Sequence, residues 1–302
     1  MNDLVIETRG LTLYYGAHRG IVDVDLQVRA GEVFGFLGPN GAGKTTTQRI
    51  LLDIIRPTSG HASIFGLDCQ RQGVELRRRV GYLPGELALY TNMQADKFFE
   101  MYEYLRGANG DKGHWRELAA RLDLDTSRKI REFSRGNKQK VGVVAAFMNR
   151  PDLLILDEPT SGLDPLVQQT VLELVREARA EGTTVFFSSH ILSEVQAVCD
   201  RVGIIRDGRL VITQSVGDMI AQRLKRLRLQ FVKMPPVGTF DPADVTEMER
   251  TDQEILLEVR DNLAQVMSTA AQFGIADIET HNVSLEEIFL TYYGRGNGEN
   301  HV

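Results

Sequence analysis

The chain has 302 residues, a length that predicts about two domains, and 42% of them are hydrophobic, enough for ordinary packed cores. Asp and Glu (41) outnumber Lys and Arg (35), and the resulting net charge of −6 argues against a broad nucleic-acid-binding surface. Cys69 and Cys199 match no metal or redox spacing and favour a reduced, cytoplasmic setting. No apolar run reaches the roughly 18 residues that a membrane helix needs. If the protein acts at a membrane, another chain must therefore span that membrane.

Alternating and helical patterns describe the first half of the chain. The segments LVIETRGLTLYYG and IVDVDLQVRAG alternate apolar and polar side chains, which predicts two half-buried, antiparallel strands. The next segment, EVFGFLG, is a more continuous apolar strand that ends in a glycine-rich turn. KTTTQRILLDII follows with helical spacing and stops before Pro57. Residues from about 88 to 150 are mainly helical by the same criterion.

Strands and helices alternate in the next part of the chain. The strand DLLILDE precedes a helix over 165–181, and the strand TTVFFSSH precedes the helix ILSEVQAVCDRV. A hairpin that turns at Asp207-Gly208 follows. Such alternation predicts a parallel sheet covered by helices. Beyond residue 220, short strands and two helices, NLAQVMSTAAQFG and SLEEIFLTYYG, predict a small α+β unit.

The segment GPNGAGKTT matches the phosphate-binding loop pattern without a mismatch. Backbone N–H groups of such a loop wrap phosphates, side chains larger than glycine would obstruct the wrapping, and the following helix presents its positive end to the ligand. We expect Lys44 to reach the β- and γ-phosphates and the Thr45 hydroxyl to bind Mg²⁺. The predicted nucleotide-binding residues of the loop are Gly38, Pro39, Asn40, Gly41, Ala42, Gly43, Lys44, Thr45 and Thr46.

A strand that ends in two carboxylates supplies the other half of such a site. The segment LLILDE places Asp157 at the carboxyl end of a predicted strand, where it would hold Mg²⁺ through water. Glu158 would orient or deprotonate the attacking water. The phosphate loop and the acidic strand together predict hydrolysis of a nucleotide, beyond binding alone.

These residues resemble the ATP-binding subunits of ABC transporters over roughly residues 4 to 220, with the motifs in the family's order. Tyr15 stands where the family places an aromatic that stacks on adenine, and His190 stands at the switch histidine that touches the γ-phosphate. The resemblance implies that Lys44, Glu158 and His190 are catalytic and that ATP and Mg²⁺ are the ligands. The family's loop that crosses the dimer interface corresponds to Ser161, Gly162, Leu163 and Asp164.

The segment FSRGNKQK lies where the family has its signature, usually Leu-Ser-Gly-Gly-Gln. The resemblance implies that two subunits close head to tail around two ATP molecules, and that each signature caps the ATP of the other subunit. Arg135 and Asn137 depart from the family pattern, whereas Ser134 and Gly136, the two phosphate-contacting positions, remain. Such Lys/Arg-Gly-Asn forms resemble the drug- and antibiotic-export (ABC-2 type) branch, so we interpret the site as active; a degenerate site is the alternative.

A second departure lies in the segment VGYLPGELALY. Gly85 stands where the family usually has a glutamine that senses Mg²⁺ and water and contacts the permease. Glycine has no side chain to do this, and the neighbouring Glu86 is a candidate metal-site residue in its place. A solvated loop residue is the alternative interpretation of Glu86.

The patterns and the resemblance together predict an α/β fold. Residues 1–220 form a P-loop nucleotide-binding core with an antiparallel β subdomain and a helical subdomain (about 88–150), and residues 221–302 form a small C-terminal α+β domain.

The resemblance implies an ATPase that works as a homodimer at the cytoplasmic face of the cell membrane. There it powers a separately encoded permease that exports a drug, antibiotic or other amphipathic molecule, and no nucleic-acid partner is expected. The alternative is a non-transport ABC-type ATPase that acts on nucleic acid or ribosomes. Such proteins usually carry long coiled coils or tandem ATP-binding units, and this sequence shows neither.

Overall fold

The computed structural model describes residues 4–106, 113–221, 225–240, 243, 245–259 and 262–282. The chain divides into two compact units, residues 1–216 and 217–302, close to the boundary that the sequence predicts after residue 220. In chain order, the elements that begin in the first unit are β1 (Leu4–Tyr15), β2 (His18–Arg29), β3 (Val33–Leu37), α1 (Lys44–Leu51), β4 (Ser59–Ile64), β5 (Leu67–Asp68), α2 (Gly73–Arg77), β6 (Val80–Leu83), α3 (Ala95–Arg106), α4 (His114–Arg121), a 3₁₀ turn (Ile130–Glu132), α5 (Arg135–Phe147), β7 (Leu153–Asp157), α6 (Pro165–Ala180), β8 (Thr184–Ser189), α7 (Leu192–Val198), β9 (Arg201–Arg206), β10 (Arg209–Ser215) and α8 (Val216–Ala221).

The first sheet is antiparallel and has the strand order β2-β1-β4-β5. Along β2, the apolar residues Val24, Leu26 and Val28 are buried and alternate with exposed polar residues, because successive side chains of a strand point to opposite faces. This sheet confirms the antiparallel β subdomain that the alternating pattern of the first 30 residues predicts.

The second sheet has the order β10-β9-β3-β8-β7-β6 and is parallel except for the hairpin of β9 and β10. Every residue of β3, β7 and β8 is buried, as expected for parallel strands covered on both faces. The rings of Phe34 and Phe186 stack with their centroids 6.0 Å apart in the core. The hairpin turns at Asp207 and Gly208, both with positive φ, as predicted.

The order of the parallel strands decides which loops meet. In this sheet β8 lies between β3 and β7, so Leu37 pairs with Ser189 and Asp157 pairs with Ser188. Parallel neighbours end at the same edge of a sheet. The phosphate loop after β3, Glu158 after β7 and His190 after β8 are therefore brought to one edge, although the sequence separates them widely.

Helices α3, α4 and α5, with the 3₁₀ turn, fill the sequence between β6 and β7 and form the predicted helical subdomain. The rings of Phe99 and Trp115 lie 5.3 Å apart between α3 and α4, and both side chains are buried. Among the described helices, none combines the length and apolar character of a membrane span.

Some elements escaped sequence analysis. The short strands β4, β5 and β6 and helix α2 lie in a segment, 59–83, for which the periodicity indicated nothing, and α1 ends at Leu51 rather than just before Pro57. Strands of two to six residues contain too few side chains to show a period.

The second unit contains β11 (Lys225–Phe231), β12 (Val245–Arg250), β13 (Glu254–Val259), α9 (Leu263–Ala271) and β14 (Ile275–Asn282). Its antiparallel sheet has the order β12-β13-β11-β14, and apolar residues of the sheet pack with Val266 and Ala270 of α9. An α+β unit is what the sequence predicts, although strand β12 was missed. The predicted helix at 284–294 lies outside the described residues.

Candidate active site

The phosphate loop connects β3 to α1 and requires glycine at two positions. Gly43, the residue before α1, has φ of 112°, and a Cβ there would lie 2.6 Å from a methyl carbon of Ile21. A Cβ on Gly38 would lie 2.4 Å from the carbonyl oxygen of Ile205. A larger residue at either position would displace the loop, so these two glycines are required to bring the backbone N–H groups and the start of α1 to a phosphate.

Lys44 is buried, and its ammonium group is held in the loop. Its Nζ donates to the carbonyl oxygens of Gly38 at 2.6 Å and Pro39 at 3.2 Å and lies 3.3 Å from Oε1 of Glu158. A buried cation needs such partners, and all three are oxygen atoms at the mouth of the loop. The charge of Lys44 is therefore aimed at the place where a phosphate would sit.

Thr45 and Asp157 meet although 112 positions separate them. Thr45 Oγ1 donates to Asp157 Oδ2 at 2.6 Å, and Ser188 Oγ donates to Asp157 Oδ1 at 2.6 Å. Asp157 is only 1% exposed. A hydroxyl and a carboxylate are oxygen ligands of the kind that Mg²⁺ prefers, so the pair fits that ion. In the described part of the chain no cluster of three or more His, Cys, Asp or Glu forms a metal site, which leaves this mixed pair as the candidate.

Glu158 follows β7 and contacts two predicted catalytic residues at once. Its Oε1 lies 3.1 Å from Nδ1 of His190 and 3.3 Å from Nζ of Lys44. The backbone of Glu158 has φ of 50°, in the left-handed region that few non-glycine residues adopt. Its N–H donates to the Ser188 carbonyl at 3.1 Å, which ties this unusual conformation to the end of β8.

Tyr15 lies at the rim of a cavity of about 240 Å³ beside the phosphate loop. The residue is 48% exposed, and its hydroxyl lies 3.5 Å from Thr46 Oγ1. An exposed aromatic face at this place is suited to stack on a base. The cavity is lined by Tyr15, Arg19, Gly20, Pro39, Asn40, Gly41, Gly43, Lys44, Thr45, Thr46 and Glu158.

The signature residues lie elsewhere. Ser134 is the N-cap of α5 and accepts a hydrogen bond from the N–H of Asn137 at 3.2 Å. Ser134 and Arg135 are exposed, and none of the residues 134–137 lines the cavity at the phosphate loop. Within one chain, the structure therefore does not bring the signature to the predicted phosphate site.

The predicted interface loop lies against the signature. A Cβ on Gly136 would lie 3.0 Å from the carbonyl oxygen of Gly162, whose φ is 74°. Leu163 is buried, and the Asp164 side chain caps α6 by accepting from the N–H groups of its first turn. Residues 161–164 thus have a clear local role, in which they shape the start of α6 beside the signature helix.

The loop after β6 touches the candidate metal site through its backbone. A Cβ on Gly85 would lie 2.9 Å from Asp157 Oδ2. Glu86 is exposed, and it is Gly85 rather than the Glu86 side chain that lies against Asp157. A metal-binding role of Glu86 stays a prediction.

Sequence reasoning missed several side chains near the site. Arg19 and Gly20 line the cavity, Ser188 donates to Asp157, and Gln139 and Glu194 are buried polar residues behind Glu158. A signal for Glu194 was present: it lies beside Val195 and one turn before Val198 on the apolar stripe of the predicted helix, where a carboxylate is unexpected.

Comparisons with known proteins agree with this geometry. The family profile described as "ABC transporter" matches residues 21–161. The bacitracin transport ATP-binding protein BcrA of Bacillus licheniformis is 38% identical over 209 residues, which are 68% of each chain. The ABC transporter ATP-binding protein YcbN of Bacillus subtilis is 34% identical over 227 residues, 74% of each chain.

Solved structures give the same result. One solved structure, described as the ATP-binding subunit of an ABC transporter, has 31% sequence identity to this chain and a TM-score of 0.66. The match covers 72% of this chain and 92% of that one. The cassette MJ0796, solved as a dimer with ADP and phosphate, is 21% identical with a TM-score of 0.64, over 70% of this chain and 98% of that one, and it supports the fold alone. With the site's geometry, these likenesses establish that the chain belongs to the family of ABC transporter ATP-binding subunits and is an ATPase.

Proposed function

We propose that the chain hydrolyses ATP with Mg²⁺ as one half of a dimer, and that this dimer powers a separate membrane permease exporting a drug, antibiotic or other amphipathic molecule. The observation that carries the catalytic part is the position of Glu158 Oε1, 3.3 Å from Lys44 Nζ and 3.1 Å from His190 Nδ1. A carboxylate between two nitrogen groups at the mouth of a phosphate loop can accept a proton from water, and this position supports the role of a general base.

Each residue then has one task. Lys44 binds the β- and γ-phosphates. In the structure its ammonium group instead contacts two carbonyl oxygens and the Glu158 carboxylate, which are negatively polarised as phosphate oxygens are. Thr45 and Asp157 would hold Mg²⁺, which supplies charge neutralisation of the phosphates when bound. Glu158 orients the attacking water and accepts its proton, and His190 holds Glu158 through its side chain.

The position of the signature supports a dimer. Ser134 caps α5, its hydroxyl accepts from Asn137, and its own hydrogen is available to a ligand outside the chain. The residue is exposed at a helix N-terminus, where negative charge is stabilised. Residues 134–137 do not line the cavity of their own chain, which supports a contact with the phosphate bound by a second subunit.

An apolar groove supports the permease partner. A cavity of about 820 Å³ lies beside the loop of Gly85, between β6 and the helical subdomain. Tyr82 and Leu87, which flank Gly85 in the sequence, line its wall, so a helix from a membrane subunit bound there would reach the loop that touches Asp157. The lining residues that give the groove its apolar character include Tyr82, Leu87, Tyr90, Phe98, Met101 and Tyr102.

The relatives support an exported antibiotic or drug. BcrA is named for bacitracin transport, and YbhF of Escherichia coli, 34% identical over 224 residues that make up 39% of that protein, is named as a probable multidrug transporter subunit. The test is to identify a membrane protein that co-purifies with this chain and to measure the ATPase activity of the complex with bacitracin and other amphipathic antibiotics. Stimulation by none of them would refute the substrate class.

The catalytic assignment is tested by Glu158→Gln, which keeps the shape of the side chain and removes the base. We expect ATP binding to be retained and turnover to fall by about 10²–10⁴-fold. Glu173→Gln, which removes an exposed carboxylate from α6, is the matched control and should leave both quantities unchanged. Near-normal hydrolysis by Glu158→Gln would refute the assignment.

The shared site is tested by mixing two inactive variants, Lys44→Ala and Ser134→Arg. Each homodimer has two damaged sites, whereas a mixed dimer carries both lesions in one site and leaves the other intact. In an equal mixture about half of the dimers are mixed, so about one quarter of the wild-type rate is the expected ceiling if one site turns over alone. A flat baseline across all ratios, with mixed dimers confirmed by a tag on one chain, would refute the combination of a signature that acts on the partner's ATP and sites that turn over independently.

A further inference from the structure

Behind the catalytic residues lies a buried carboxylate that the mechanism so far does not use. Glu194, on α7, is 7% exposed. One of its oxygens accepts from Thr160 Oγ1 at 2.5 Å and the other from Ser189 Oγ at 2.6 Å. Thr160 and Ser189 are themselves only 2% and 1% exposed. A buried charge persists when such donors satisfy it, so the three side chains form a built unit.

The two hydroxyl groups belong to the two segments that carry catalytic side chains. Thr160 follows Glu158 by two residues, and Ser189 immediately precedes His190. The Ser189 carbonyl also accepts from the N–H of Gly38, the first residue of the phosphate loop, at 3.3 Å. Glu194 therefore bridges the ends of β7 and β8 at the place where Glu158 meets His190.

The segment after Glu158 needs such support. Glu158 has a left-handed φ of 50°, a conformation that persists only where the surrounding structure holds it. Buried Gln139 of α5 donates its amide N–H to the carbonyl oxygens of Glu158 at 3.3 Å and Pro159 at 3.1 Å, on the side of the signature helix. Glu194 holds the same segment through Thr160, from the side of α7.

We propose that Glu194 is a positioning residue for hydrolysis: its carboxylate, by joining Thr160 to Ser189, fixes the contact between Glu158 and His190. The inference rests on the proposed catalytic roles of those two residues. A carboxylate suits this role because it only accepts hydrogen bonds, so the hydroxyl groups of Thr160 and Ser189 can both donate to it. Loss of either bond lets one catalytic segment move relative to the other while the phosphate loop keeps its own contacts.

The test uses two substitutions at Thr160 that distinguish the effect of its hydroxyl group from the effect of its packing. Thr160→Val keeps the shape and removes the donor, and Thr160→Ser keeps the donor and removes a methyl group. We expect Thr160→Val to lower kcat about 10-fold or more, because small misplacement of catalytic groups is costly, with little change in the KM for ATP. Thr160→Ser should retain most of kcat. Ser189→Ala should resemble Thr160→Val, and Ser193→Ala, which changes an exposed hydroxyl next to Glu194, is the matched control.

The outcomes separate this inference from the proposed function. Wild-type turnover and its loss in Glu158→Gln establish the function in the same assay. Given that result, full kcat in Thr160→Val, or a larger loss in Thr160→Ser than in Thr160→Val, overturns the positioning role. A raised KM with unchanged kcat in Thr160→Val would also overturn it, because that pattern places the defect in ATP binding. If Glu158→Gln itself is active, the proposed catalytic assignment fails instead.

Discussion

Gly85 provides a test of how closely the loop after β6 must approach the metal site. In Gly85→Ala the added Cβ would lie 2.9 Å from Oδ2 and 3.3 Å from Cγ of Asp157, closer than ordinary van der Waals contact. Asp157 is 1% exposed and its oxygens are engaged by Thr45 and Ser188, both at 2.6 Å, so the carboxylate has little room to retreat. Either the loop moves outward or the hydrogen bond from Thr45 breaks.

The magnitude follows from the bond at risk. A hydrogen bond to a charged group contributes about 1.5–3 kcal/mol, and each 1.36 kcal/mol corresponds to about a tenfold change in rate. We therefore expect Gly85→Ala to lower kcat/KM for ATP by about tenfold or more and to raise the Mg²⁺ concentration that gives half-maximal activity. Gly85→Gln, which introduces the residue usual in the family, adds the same Cβ and should be impaired at least as much.

The assay is steady-state ATP hydrolysis across a series of Mg²⁺ concentrations, with ATP binding measured in parallel. Ala88→Ser, which enlarges an exposed residue of the same loop, is the control and should behave as the wild type. Unchanged kcat/KM and Mg²⁺ dependence in Gly85→Ala would refute the reasoning, because they would show that the loop yields without disturbing Asp157.

Three further predictions concern other parts of the first unit. Tyr15→Ala should raise the KM for ATP about tenfold and leave kcat nearly unchanged, since stacking stabilises ground and transition states alike, whereas Tyr15→Phe should retain both; a large loss of kcat at constant KM would count against stacking. Gln48 is fully buried, and neither polar atom of its amide has a hydrogen-bond partner among the described residues. Gln48→Met should therefore raise the free energy of unfolding, measured in urea, by about 1–3 kcal/mol, and a decrease would contradict this. Burial raises the pKa of Cys69 to about 12 and that of Cys199 well above its ordinary value, so both thiols stay protonated at pH 8. Both should therefore react with a thiol reagent only after unfolding. Rapid labelling of the native protein would show that burial is incomplete.

Much of the site was predictable because its signals are local. The phosphate loop is a spacing of glycines followed by Lys44 and Thr45, and its chemistry follows from residues that are neighbours in the chain. The strand before Asp157 is a short apolar run with carboxylates at its end. The alternation of strands and helices predicts a parallel sheet without any knowledge of the strand order.

Which of these segments come into contact depends on the packing of the folded chain. The order β3-β8-β7 brings Lys44 and His190 within hydrogen-bonding distance of Glu158. That order depends on packing summed over the whole sheet rather than on any local pattern. The same holds for Gly85 against Asp157, and for Glu194, whose carboxylate joins two segments distant in sequence. The ATP-binding motifs and the α/β class can therefore be predicted from the amino-acid sequence, because spacing and periodicity are local properties. The geometry that lets those motifs act together is a property of long-range packing, which no single segment encodes.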